Sequence, residues 1–327
     1  IWLYQLENEI RQKIPMVFYT IWDDVPYPMY NREFYRSDDM HLCISRQTEN
    51  IVKNVLRDHP KEDWAVNYVP HGINENNFFP VVNDLEFEAF KENLLGEEEQ
   101  DFVVLWNSRN IRRKNASDII LAWRLFLDQL PDAKAKKCTL VMHTDPVDQN
   151  GTDLPEVVKN ICPDYDVLFT NRKFTTEELN YLYNLSDVTI NMASNEGFGL
   201  GTCESVNAGT PMIVNVQGGM QDQCGFTIDG KHITAEQYVE LGSLHNVKEL
   251  PQNLSWGSWV NPIWPTNRSL QGSPATPYIF DDRCSFEDGA KAIRQWYDTL
   301  PDRRIECGLE GSEWMKGDEA NMSAKHM

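Results

Sequence analysis

Two short stretches of this sequence combine residue types that could do chemistry. The first is Glu196-Gly-Phe-Gly-Leu-Gly-Thr-Cys-Glu204. Gly197, Gly199 and Gly201 strip side chains from a loop so that a ligand can approach the main chain, and Glu196 and Glu204 bracket it with carboxylates able to accept hydrogen bonds from hydroxyls. Sugars and ribose offer such hydroxyls. The second stretch is Arg109-Asn-Ile-Arg-Arg-Lys114, four cations within six residues of a chain that carries 50 acidic against 30 basic residues and a formal charge of −20. A local positive site in so acidic a chain suits a diphosphate. Taken singly, each feature has a plainer reading: Glu196 as a solvated loop residue, Glu204 as a first-turn carboxylate favouring the helix dipole, and the basic run as a solvated turn. Their joint placement argues for a site.

That placement follows from the elements around them. Apolar runs predict strands at residues 16–22, 40–45, 102–106, 138–142, 167–169, 187–192 and 212–216. Helices alternate with them: one through Leu56, one over residues 116–129 with Ile119, Ile120, Trp123, Phe126 and Leu127 at helical spacing, one over residues 179–185 opened by the capping-box spacing of Thr175 and Glu178, and one through Ala208. Such alternation predicts a parallel sheet covered on both faces, with ligands at the carboxyl ends of the strands. Both stretches begin where a strand ends. A dinucleotide loop fits less well, because G-x-G-x-G at Gly197 to Gly201 lacks the G-x-G-x-x-G spacing.

The remaining sequence sets limits. Residues 68–80 are turn-rich, as at a crossing between domains, and divide the chain into a partial first domain at 1–70 and a second at 71–300, followed by a helical segment at 301–327. The chain begins inside a helical pattern with no leading strand, so the first domain reads as truncated at its N-terminus. Glu97-Glu98-Glu99 reads as a solvated face. Between about 217 and 280 the rhythm is lost among Trp256, Trp259, Trp264 and five prolines; this reads as a surface insertion with its own small core, against the alternative of an aromatic lid or acceptor pocket. No apolar run approaches the roughly 18–20 residues of a membrane-spanning helix, and the net charge disfavours nucleic acid. Seven scattered cysteines without a C-x-x-C pair argue against zinc and against a disulfide framework, and so for a reducing, cytoplasmic setting; the six Asn-x-Ser/Thr triplets are discounted for want of a signal peptide. No D-x-D element is placed as a metal site.

Several of these elements occur in the order seen in one family. Val69-Pro-His-Gly-Ile-Asn74 with Phe79-Pro80 resembles an interdomain N-G-V-D…F-x-P segment, Arg109 and Lys114 match a G-R-x4-K phosphate pair, Glu196 and Glu204 an E-x7-E motif, and Ala208-Gly-Thr-Pro211 and Gly218-Gly219 follow. The chain thus resembles the retaining glycosyltransferases of the GT-B fold, the family 4 (group 1) enzymes above all. The resemblance implies an α/β fold of two Rossmann-like domains with parallel sheets, the N-terminal one incomplete. It implies a nucleotide diphosphate sugar as donor, a hydroxyl acceptor, retention of configuration, and no metal or other cofactor. Arg109, Lys114 and Glu196 would be the catalytic residues. Glu204 would bind ribose, Gly197, Phe198, Gly199 and Leu200 the sugar with Glu196, and the main chain near Asn171 and Arg172 the base. The chain departs from the family at Ser108 in place of glycine, at His143-Thr-Asp-Pro146 in place of a glycine-rich turn, and at Trp22-Asp23, an acceptor-side position where the family commonly has histidine. A sugar-nucleotide epimerase of similar fold and a degenerate, non-catalytic sugar-binding protein are the competing readings.

Overall fold

The structure is a computed structural model that describes residues 2–97, 100–242 and 250–326. Glu98 and Glu99 of the acidic run lie outside the described residues. Strands are numbered in chain order: β1 Val17–Thr20, β2 Met40–Cys43, β3 Val66–Tyr68, β4 Phe102–Asn107, β5 Cys138–His143, β6 Val167–Thr170, β7 Val188–Asn191, β8 Met212–Asn215, β9 Thr227–Ile228, β10 Lys231–His232, β11 Leu254–Ser255, β12 Val260–Ile263, β13 Asn267–Ser273 and β14 Thr276–Arg283.

Two parallel sheets carry the fold. The first has three strands in the order β1-β2-β3, and the second six in the order β12-β8-β7-β4-β5-β6. The continuous apolar run Phe102-Val-Val-Leu-Trp106 is explained by its central place in the larger sheet. Phe102, Val104 and Trp106 enter one core and Val103 and Leu105 the other, so a strand buried on both faces cannot alternate in polarity. The helix Ala116–Leu127 seals the first of these cores through Ile119, Ile120, Trp123 and Phe126, together with the helix Phe286–Asp298. A third, smaller core lies under the first sheet, where Ile51, Val52 and Val55 of the helix Arg46–Val55 meet Cys43 and Val66.

The order of the larger sheet creates a switch point. From β4 the chain moves outward through β5 and β6, then returns to the other side of β4 for β7 and β8. The helices that follow β4 and β7 therefore pack on opposite faces of the sheet, and the loops leading into them meet at the switch point, where ligands bind in such sheets. The basic run follows β4, and the Glu196 loop follows β7.

The described part of 217–280, residues 217–242 and 250–280, is only partly an insertion: β10-β9-β11 form a small sheet of their own, but other parts belong to the main body. Gly218–Gln223 form a buried 3-10 turn, and β12 adds to the larger sheet beside β8 in parallel register, with Trp259 and Trp264 in one of its main cores. β12 was not foreseen because it contains Pro262 and is followed by Pro265, signals against a strand; an edge strand tolerates proline because one side of its ladder is open. β13 and β14 follow as an antiparallel hairpin. The helix Leu85–Leu95, capped by the Asp84 side chain accepting from Glu86 N and Phe87 N, was not anticipated; it has no fully buried residue and hence no sharp apolar stripe. The predicted strand at 16–22 stops at Thr20, and the Trp22 indole turns to donate to Asp24 O.

The two sheets are tied by polar contacts. Arg46 N donates to the Asp222 carboxylate (2.9 Å) and Gln221 Nε2 to Gln47 Oε1 (2.8 Å). After the helix Pro301–Lys316 the chain returns to the crossing segment, where Ile73 N donates to Met322 O (2.8 Å) and Ala324 N to Ile73 O (3.0 Å). No described helix is long and apolar enough to cross a membrane. All seven cysteines are buried and unpaired.

Candidate functional site

A cleft of about 660 Å³ lies over the switch point, between the two sheets. Its cationic wall is the turn Arg112–Lys114 after β4. Asn115 follows in the left-handed conformation and starts the next helix, which frees its side chain to donate to Met192 O (2.9 Å); Ser194 N donates to Arg113 O (2.8 Å). These bonds lock the loop after β4 to the loop after β7. The result is a buried ionic corner: Lys114 Nζ donates to Glu196 Oε1, Arg113 Nη1 lies 3.4 Å from Glu196 Oε2, and Asn191 Nδ2 donates to Glu196 Oε1 (3.2 Å). The Lys114 and Glu196 side chains are each only 10% exposed. Burial lowers the Lys114 pKa, against the opposing pull of the Glu196 carboxylate.

The Glu196 loop is shaped by backbone constraints. Gly218, with φ +55°, passes so close that a Cβ would sit 2.1 Å from Glu196 O, and Gly219 N donates to that oxygen (2.8 Å). Gly199, with φ +89°, turns the chain into the helix Leu200–Asn207, whose N-terminus has no side-chain cap. Its first N–H groups and positive dipole end stand at the edge of the cleft beside Lys114, suited to phosphate oxygens. One turn on, Glu204 Oε2 accepts from Tyr183 OH (2.7 Å), which itself accepts from Asn107 Nδ2 (2.7 Å). Burial raises the Glu204 pKa, opposed by the tyrosine hydrogen bond.

The opposite wall is acidic and was largely missed. Asp23 lines the cleft; its neighbour Asp24 accepts from Asn195 Nδ2, and both line it with His71, Gln271, Ile279 and Asp281. Burial raises both Asp23 and Asp24 above the usual carboxylate range, with Arg113 pulling Asp23 back and Asp23 pushing Asp24 further. His71, whose pKa burial lowers, stands edge-on to Phe198 at 5.2 Å between ring centroids. The sequence did mark His71, between Pro70 and Gly72 just after β3, but only as part of a crossing.

The structure brings together Lys114, Glu196, Gly197, Phe198, Gly199, Leu200, Glu204 and Asp23 of the expected residues, and turns three away. Arg109 points outward, 63% exposed, with Nε donating to Asp148 Oδ2 (2.9 Å); Arg113 holds the cleft position instead. Arg112 to Lys114 form a 3-10 turn, so spacing along the run did not reveal which cations face inward. Trp22 packs against Tyr30 (5.8 Å) beside the third core rather than in the cleft. Arg172 pairs with Glu178 (2.7 Å), lies over the Phe174 ring (4.3 Å) and lines a separate cavity of about 320 Å³ at the end of β6. His143 stacks on that same ring at 4.5 Å, in the place of the family's glycine-rich turn. Among the described residues, no group of three or more His, Cys, Asp or Glu is gathered as metal ligands would be.

A model of the family described as "Family 4 Glycosyltransferase in conflict systems" matches residues 72–244, more than half of the chain. The chain belongs to this family. The matched span contains the ionic corner, the Glu196 loop and Glu204. Among curated relatives, mannosylfructose-phosphate synthase of Agrobacterium fabrum is 24% identical over 190 residues, 57% of this chain and 39% of that protein. D-inositol 3-phosphate glycosyltransferase of Salinispora arenicola is 28% identical over 198 residues, 58% of this chain and 43% of that protein. The chain thus spans less than half the length of these curated relatives. Anabaena HepE, solved in complex with UDP and glucose, superimposes with a TM-score of 0.61 at 13% identity, over 92% of this chain and 66% of that one. The fold is the α/β, parallel-sheet arrangement of GT-B glycosyltransferases.

Proposed function

We propose that the chain provides the donor site of a glycosyltransferase that moves a sugar from a nucleotide diphosphate to a hydroxyl, with retention of anomeric configuration and without a metal. The observation that carries this reading is the corner in which Arg113 and Lys114 meet Glu196 beside the uncapped N-terminus of Leu200–Asn207. In the transfer, the bond from the anomeric carbon to the diphosphate oxygen breaks as the acceptor oxygen bonds to that carbon, and the acceptor's proton leaves with the diphosphate. Negative charge grows on the leaving group, and fixed cations with a helix N-terminus stabilise it without reorganising. Glu196, held by Lys114 and Asn191, is placed to accept sugar hydroxyls, and Glu204, oriented by Tyr183, those of ribose. The UDP and glucose of the HepE complex belong to the class of ligand proposed. The family resemblance supplies the retention. The cavity of Arg172 and Phe174 at the end of β6 is our candidate for the base, and the seven buried thiols suit a cytoplasmic setting.

The test is turnover of a panel of nucleotide sugars by the complete protein, with the anomeric configuration of the product read by NMR. Transfer with retention is expected. Interconversion of the donor into its epimer, or binding with no turnover of any donor, would sink the assignment.

A further inference from the structure

The hairpin of β13 and β14 belongs to the second sheet's half of the chain yet is fastened to both halves. On one side, Asn195 Nδ2 donates to Phe280 O (2.9 Å) and Asn215 Nδ2 to Asp282 O (2.9 Å). On the other, Phe280 N donates to Val25 O (2.7 Å), Tyr30 OH to Tyr278 O (2.9 Å), and Tyr278 OH receives Met29 N (3.1 Å). The hairpin is therefore bonded to both halves of the chain, and it also contributes to the lining of the cleft.

Its register divides it into two faces. Cross-strand pairs Arg268–Asp282 and Leu270–Phe280 share one face, where the Arg268 guanidinium bonds the Asp282 carboxylate and covers the Phe280 ring at 4.5 Å. Gln271–Ile279 and Ser269–Asp281 share the other. From that second face Gln271, Ile279 and Asp281 line the cleft. Gln271 Nε2 donates to Ser269 Oγ (3.0 Å), which fixes the amide, and the Asp281 carboxylate takes no hydrogen bond or ion pair among the described residues.

An isoleucine between an amide and a carboxylate matches a polyol: its C–H face packs on the alkyl group, its hydroxyls pair with the amide and donate to the carboxylate. The Arg113 and Lys114 wall is already occupied electrically by a diphosphate in the reading above. Of the hairpin, Gln271, Ile279 and Asp281 line the cleft, so it adds a carboxylate and no cation to the space that Asp23 also lines, and a phosphorylated acceptor against it would be repelled. We propose that the β13–β14 hairpin is the acceptor wall of the cleft, and that Gln271 and Asp281 select an uncharged polyol over a phosphorylated one. This rests on the donor-site reading above.

The experiment has two arms. Calorimetric titration of the complete protein with UDP and GDP tests the donor site by itself. With nucleotide bound, saturation-transfer NMR then compares glucose, fructose and myo-inositol with glucose 6-phosphate and fructose 6-phosphate, for the native protein, Gln271→Ala and Asp281→Asn. Expected are binding of neutral polyols at least about tenfold tighter than of the phosphates, a polyol Kd that rises about tenfold more than the nucleotide Kd in Gln271→Ala, and a narrowed gap between neutral and phosphorylated sugars in Asp281→Asn. Nucleotide binding with native preference for phosphorylated sugars, with no polyol binding, or with polyol affinities that the two substitutions leave alone, overturns the hairpin proposal while sparing the donor site. Failure to bind either nucleotide overturns the donor reading, and the acceptor wall falls with it.

Discussion

The two walls of the cleft are built differently. The cationic wall comes from adjacent loops of one sheet, tied together by Asn115, Ser194 and Asn191, so Arg113 and Lys114 are held beside their partner Glu196. The acidic wall is assembled from the end of β1 and from a hairpin more than 240 residues later, joined through Val25, Tyr30 and Tyr278. The first wall pairs its charges; the second leaves Asp23 and Asp281 facing the cleft. Paired charges at a switch point preorganise a site for an anion, whereas the carboxylates opposite suit neutral, hydroxyl-bearing groups.

The sharpest way to break this comparison is to remove the buried cation. Lys114→Ala should lower turnover of the complete protein by about 10²-fold or more. It should also cost up to about 3–5 kcal/mol of stability in urea denaturation, because the buried Glu196 loses its nearest cation and keeps only the more distant Arg113 and the Asn191 amide. Turnover near the native level would show that the corner is structural only. Tyr183→Phe comes next: it removes the donor to the buried Glu204 and should weaken nucleotide binding by about 1–2 kcal/mol, seen as a roughly tenfold rise in donor KM with kcat little altered.

A third prediction concerns the acidic wall and pH. Asp24 has its folded-state pKa raised by burial and by Asp23, so the native state binds a proton more tightly than the unfolded chain does. Stability from this group is therefore full below the usual carboxylate pKa of about 4 and falls as pH rises towards the raised value. Asp24→Asn should keep the acceptor for Asn195 while removing that penalty, so its melting temperature should match the native protein near pH 4 and exceed it by a few degrees, about 1–2 kcal/mol, near pH 8. A melting-temperature gain that did not grow with pH would show that Asp24 carries no such penalty. The smallest effect is expected at the exposed cation: Arg109→Ala should change turnover by less than about twofold, the range of an exposed ion pair, while Arg113→Ala costs about tenfold or more. Equal losses for the two would return Arg109 to the site.

Much of the cationic wall and of the Glu196 loop was legible because its signals are local. Val103 to Trp106 announce a buried strand, Thr175 and Glu178 form the capping box expected of them, and the loop glycines sit where a backbone passes close or turns left-handed. Those features depend on residues within one turn or one loop of each other. What did not show was direction. A run of four cations carries no record of which side chains a 3-10 turn sends inward, and Arg109 was chosen over Arg113 for that reason. β12 was lost because proline signals against a strand unless its edge position is known.

By itself, then, the sequence determined the α/β rhythm, the family and the loop that carries Glu196 and Glu204, since periodicity, capping and glycine placement are set by near neighbours along the chain. Only the tertiary structure decided that Arg113 and Lys114 meet Glu196, and that Asp23, His71, Gln271, Ile279 and Asp281 line the same cleft. Those juxtapositions depend on the order of strands in the sheet and on hydrogen bonds between segments far apart in sequence, such as Phe280 to Val25, and no local pattern encodes them.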